Sequence, residues 1–218
     1  MSDPTLRRYR LAFGKSQAMR YTGHLDLYRA LERTVRRAAL PLAYSRGFSP
    51  HPKLQLASAL PLGFTSCAEL ADIWLEQPIP EDEILARMRQ AAPPGIAFER
   101  VQSIPAPEPP LQQQVLRADF VARLESPLPP DLPQRLGALL KATSIPRERR
   151  GKTYDLRPLI IDLGLKPPAE LVLALSAREG ATGRPEEVLD ALGLDPLAAE
   201  ITRVQLTLTA SPAAASSD

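Results

Sequence analysis

The stretch "PAPEPPLQ" at residues 105–112 sets four prolines in eight positions. Each proline locks φ and removes a backbone N–H, so this run continues neither a helix nor a central strand. It reads as an extended connector, and it divides the 218 residues into two halves, each about the size of a small domain. With hydrophobic residues at 44%, each half can bury a core of its own.

Before the connector, Leu6–Ala12 alternates, with Arg8 and Arg10 set against Tyr9, Leu11 and Phe13. That is the period of a half-buried strand with arginines on its outer face. From His24 the period changes: Leu27, Ala30, Leu31, Thr34 and Ala38 share one side at about 100° per residue, which predicts a helix that Pro41 stops. Lys53–Leu60 and Glu69–Glu76 read as strands, "PEDEILARMRQAAPPG" as a helix with an acidic first turn, and "IAFERVQSI" as a strand. After the connector the same order returns. "QVLRADFVARLE", "YDLRPLIIDLGL", "ELVLALSARE" and "ITRVQLTLTA" read as strands, and "PPDLPQRLGALLKA" and "RPEEVLDALGL" as helices. The expectation is an α+β chain of two tandem ferredoxin-like βαββαβ units, with antiparallel sheets and helices on one face. The first unit spans residues 1–104, the connector 105–112 and the second unit 113–210, with 211–218 a disordered tail.

Net charge is only +2, yet residues 1–60 hold eleven Lys or Arg against three acids, so one end of the chain is basic. Cys67 is the single cysteine. It rules out an internal disulfide and a cysteine metal cluster and suits a reducing compartment. No apolar run reaches the roughly 20 residues of a membrane span, and "MSDPTLRRYR" lacks the apolar core of a signal peptide. The expected location is the cytoplasm, with no membrane partner.

Three constellations can carry chemistry. On the first helix Arg29, Arg33, Arg36 and Arg37 share the face opposite the apolar stripe, and Asp26 and Glu32 cannot neutralise four guanidiniums. Planar guanidinium forks suit phosphates; the bland alternative is a solvated face. The loop "YSRGFSPHPKLQL" concentrates Tyr44, Arg46, Phe48, His51 and Lys53 between Gly47 and two prolines. It reads either as a binding loop or as a structural turn. His51, and His24 at the helix start, are the candidates for general acid or base work, since imidazole titrates near neutrality. Two histidines without ligand-spaced acids or cysteines fall short of a metal site, and no cofactor motif is present. A second basic segment, "RERRGKTYDLR", interleaves Arg147, Arg149, Arg150 and Lys152 with Tyr154, either as a single-strand RNA contact or as a surface hairpin. Trp74, on a strand read as core, is assigned to packing.

The block from Met19 to Phe64 resembles the signature of a bacterial family, the radical SAM-linked domain of unknown function. The matching residues are His24, Leu25, Asp26, Arg36, Arg37, Tyr44, Ser45, Gly47, Phe48, Pro50, His51, Pro52, Lys53 and Gly63. The resemblance implies a partner, a radical SAM protein encoded nearby or fused, and transfers no catalytic residue. The chain lacks the three-cysteine iron–sulfur motif and is not itself the radical enzyme. Tandem ferredoxin-like units with basic faces also resemble, by fold alone, the RNA-processing endoribonucleases of CRISPR systems.

The function expected first is therefore a non-catalytic RNA-binding or substrate-presenting partner of a radical SAM enzyme. Arg29, Arg33, Arg36, Arg37, Arg46 and Lys53 would hold phosphates, and Tyr44, Phe48 and His51 would contact a base. The alternatives are a metal-independent endoribonuclease using His24 or His51, and a protein-interaction module without nucleic acid.

Overall fold

The computed structural model describes residues 6–105, 107–124, 128–149 and 151–209. The expected disordered tail and Arg150 lie outside them. The chain forms two compact units, one running to Gln114 and joined by Thr209, the other from Val115 to Leu208.

In the first unit the strands are β1 (Arg7–Lys15), β2 (Leu54–Leu56), β3 (Thr65–Leu75) and β4 (Ile96–Ile104), with helices α1 (His24–Arg37) and α2 (Glu81–Ala91) between them. β1 pairs antiparallel with both β3 and β4, and β2 with β3, so the order across the sheet is β4-β1-β3-β2. Alternation sends Tyr9, Leu11, Phe13, Leu54, Leu56, Ala71, Ile73, Leu75, Ile96, Phe98 and Val101 to one face. Leu27, Leu31 and Val35 of α1 and Ile84 and Met88 of α2 close over that face. Each such side chain contributes about 1.5–3 kcal/mol on full burial. The opposite face is left for Arg8, Arg10, Asp72, Trp74 and Gln55.

Local chemistry sets where α1 begins and ends. The buried Lys15 ammonium donates to the carbonyls of Arg20, Thr22 and Phe64 at 3.0–3.2 Å, and Arg20 Nε donates to the Gly63 carbonyl at 2.8 Å. Together they tie the segment before His24 to the "PLGF" turn, where Gly63 takes φ +86. The helix ends at Arg37, ahead of the Pro41 that the sequence reading takes as its stop. Ala39 N–H bonds the Arg36 carbonyl, Leu40 N–H bonds that of Val35, and Ala39 sits at φ +50. This is a Schellman motif with alanine in the left-handed position.

The predicted strand Lys53–Leu60 shrinks to three residues, because the chain turns away after Leu56. The connector is not extended throughout: Leu111–Gln114 forms a helical turn, α3, with Leu111 fully buried.

The second unit contains β5 (Val115–Arg123), α4 (Leu132–Lys141), a hairpin of β6 (Pro146–Arg149) and β7 (Lys152–Asp155), then β8 (Ile160–Lys166), β9 (Glu170–Arg178), β10 (Ala181–Thr182), α5 (Pro185–Ala191) and β11 (Glu200–Leu208). β8 pairs with β9, β9 with β5 and β5 with β11, all antiparallel. The predicted strand "YDLRPLIIDLGL" is split. Tyr154 and Asp155 end β7, a turn of 3-10 helix follows at Arg157–Leu159, and β8 begins at Ile160. Asp155 Oδ1 accepts from the Ile145 and Arg157 amides at 2.7 and 2.9 Å, which closes the hairpin base and holds its carboxyl below the usual range. Among the described residues no helix is long and apolar enough to cross a membrane.

Candidate functional site

The first unit brings together a basic helix face, a protruding loop and a cavity. On α1, Leu27, Leu31, Thr34 and Val35 are buried, and the four arginines point outward. Arg29 meets Asp26 at 3.4 Å, and Arg36 meets Glu32 at 2.6 Å. Among the described residues Arg37 reaches only the Thr34 hydroxyl, at 3.5 Å. Arg33 makes no ion pair or side-chain hydrogen bond among the described residues. Exposed pairs of this kind contribute about 0.2–1 kcal/mol, so they leave the guanidiniums open to exchange partners.

The loop after α1 has a hydrogen-bonded stem. Lys53 N–H bonds the Ala43 carbonyl at 2.8 Å, and Ser45 N–H bonds that of His51 at 2.8 Å. His51 N–H in turn bonds Ser45 Oγ at 2.9 Å. These bonds project Arg46–Pro50 as an exposed tip, with Gly47 at φ +140 making its bend. Phe48 is fully exposed there. Two contacts anchor the loop along the helix. Arg36 Nε donates to the Tyr44 hydroxyl at 3.1 Å with its guanidinium over the ring, and the Tyr28 hydroxyl donates to the Pro52 carbonyl at 3.2 Å. The Tyr44 bond and then the Glu32 carboxylate raise the Arg36 pKa further and keep it charged.

The other face of the sheet presents two rows that follow from register. Ile104 of β4, Arg8 of β1 and Trp74 of β3 lie side by side, and Trp74 N–H donates to the carbonyl of Lys53 beyond them. The next row is Gln102, Arg10, Asp72 and Gln55. The fully buried Asp72 carboxylate is gripped from both sides, by Arg8 at 2.6 Å and by Arg10 at 2.8 Å. Arg8 also donates to the carbonyls of Glu108 and Pro109 and lies over the Trp74 ring, 5.2 Å from its centroid. Gln55 accepts from the Leu111 amide and donates to Gln112. The proline-rich segment is thus a strap tied across this face by Arg8 and Gln55.

Beside the strap opens a cavity of about 1090 Å³, whose lining includes Arg7, Arg8, His24, Tyr28, Lys53, Gln55, Trp74 and Glu108. Burial, and then the Glu32 carboxylate, push the Tyr28 phenol above its ordinary value, so it remains a neutral donor.

The predicted residues are therefore distributed. Arg29, Arg33, Arg36 and Arg37 lie on the helix face, Arg46 and Phe48 at the loop tip, and Tyr44 where helix and loop meet. His24 and Lys53 line the cavity, while the exposed His51 does not, so the two histidines do not line it together. Arg8, Gln55 and Trp74, which line the cavity, are not among the candidate site residues of the sequence reading. Trp74 is not a core side chain: it occupies the face that the helices leave uncovered. The available signal was alternation, which pairs Arg8 and Arg10 with an acid, Asp72, in a strand whose inward residues are apolar. In the second unit Gly151 turns the β6–β7 hairpin, Arg147 reaches Asp190 at 3.5 Å and the Tyr154 hydroxyl is buried. Arg149 and Lys152 pair across that hairpin at its turn.

A family model described as "Uncharacterized protein conserved in bacteria (DUF2344)" matches residues 8–185, which is most of the chain. No curated protein matches it.

Proposed function

The chain belongs to the DUF2344 family of bacterial proteins, and on that premise we propose that it is a non-catalytic RNA-binding protein that presents substrate to a radical SAM enzyme in the cytoplasm. The observation that carries this reading is a cation-rich helix face joined, through the Arg36–Tyr44 contact, to a loop that holds Phe48 in solvent. Guanidiniums neutralise backbone phosphates, and an exposed aromatic ring stacks an unpaired base. Phe48, exposed at the loop tip next to the exposed Arg46, is placed where an unpaired base can stack on it. The radical SAM partner rests on the likeness of the Met19–Phe64 block. The strand orders β4-β1-β3-β2 and β11-β5-β9-β8 support reading the chain as two tandem ferredoxin-like units. We leave the β6–β7 hairpin out of the proposed surface, because Arg147 is paired and the Tyr154 hydroxyl is buried.

Crosslinking the protein in bacterial cells and sequencing the bound RNA tests this. A defined RNA is expected with the wild type and lost when Arg33, Arg36 and Arg37 are all changed to Gln. No enriched RNA, or an unchanged set in the variant, overturns the reading. Cleavage of that RNA by purified wild-type protein, abolished in His24→Ala, would replace it with the endoribonuclease.

A further inference from the structure

The open face of the first unit's sheet holds chemistry that the helix-and-loop surface does not use. Arg8 and Trp74 are neighbours in register, and the guanidinium lies over the indole with its own donors taken up by Asp72 and the strap, so the ring is a stacking plane held in place and charged by Arg8. Bases stack on such a plane. Lys53 stands beside the indole in the cavity lining and makes no ion pair or side-chain hydrogen bond among the described residues. Among the described residues Glu108 is the one acid in the lining, and Asp72 below is already shared by two arginines. The cavity is therefore electropositive and walled by apolar proline rings on the strap side. Tyr28 stays a neutral hydrogen-bonding group, and Gln55 adds an amide. Its volume of about 1090 Å³ stands just above the roughly 300–1,000 Å³ of small-molecule sites and so admits a nucleotide.

We propose that this cavity binds a single nucleotide, the base on the Trp74 ring and the phosphate at Lys53. The strap limits the site. Arg8 and Gln55 hold residues 108–112 across the adjoining row, so the face offers a seat for one nucleotide and not a track for a strand. The inference deepens the RNA reading where the occupant is an RNA end, and it stands without that reading where the occupant is a free nucleotide.

Trp74 is the chain's single tryptophan, so its fluorescence reports on this cavity alone. We expect adenosine monophosphate to change the emission saturably. Adenosine without phosphate should bind more weakly, and Lys53→Gln should weaken the monophosphate by about tenfold, the scale of one charge-assisted hydrogen bond. An emission indifferent to every nucleotide, or equal titrations of wild type and Lys53→Gln, overturns the proposal. A 5′-phosphorylated oligoribonucleotide that binds more tightly than the monophosphate upholds the site and assigns it to RNA ends. The reverse order upholds it and assigns it to free nucleotides. The Arg33, Arg36, Arg37 variant separates the two readings: loss of RNA crosslinks with an intact monophosphate titration leaves the pocket standing whatever becomes of the helix surface.

Discussion

Asp72 and Arg33 show how differently two charges act in one unit. The Asp72 carboxylate is fully buried, and four hydrogen bonds from Arg8 and Arg10 compensate its desolvation. Removing a partner from such a cluster leaves two guanidiniums without their counterion beneath the strap. Asp72→Ala is expected to cost about 3–5 kcal/mol. Arg33→Ala, at an exposed helix position with no partner among the described residues, should stay within about 0.5 kcal/mol. Urea unfolding of the two variants checks the contrast, and equal losses would mean that the Arg8–Asp72–Arg10 cluster does not hold the sheet face together.

Among the elements, the junction of the β6–β7 hairpin with α5 is one where pH acts. Arg147 and Tyr154 come from the hairpin, and Glu186, Glu187 and Asp190 from the short helix. Burial pushes the Glu186 carboxyl up, and the neighbouring Glu187 adds to this, against the pull of its own backbone amide and of Arg149. Burial and then Glu187 also raise the Tyr154 phenol above 10, so it stays protonated. A carboxyl whose pKa is higher in the folded than in the unfolded state binds its proton more tightly when folded. Its contribution is thus fully present below the unfolded value of 4.5 and is lost as pH rises through the folded one. Glu186→Gln should therefore raise the melting temperature at about pH 7 and lose that advantage near pH 4. A gain of the same size at both pH values would show that packing, and not ionisation, sets the difference.

Taken whole, the molecule hides its electrostatics behind a net charge of +2, because the cations of the first 60 residues are offset by acids further along. RNA binding through the helix face should then depend steeply on salt. Each phosphate contact on a single strand adds about 0.7 to the slope of log affinity against log salt, so the triple arginine variant should flatten it by about 2. Anisotropy titrations at several salt concentrations measure this, and parallel slopes would take these arginines out of the interface. The helix stripe at Leu27 and Leu31 and strand β4 were legible because they are periodic over a few residues, and such periods depend only on side chains meeting water or oil. The same holds for the cation surplus of α1, a matter of composition and helical pitch. The places of Trp74 and Arg8 on one sheet face were not legible. They depend on a register between strands more than 60 residues apart and on which sheet face the helices cover. The strap is the sharpest instance: "PAPEPPLQ" reads as a connector because prolines forbid regular structure. Its place across the sheet comes from Arg8 and Gln55, whose hydrogen bonds to its backbone exist only once the chain has folded.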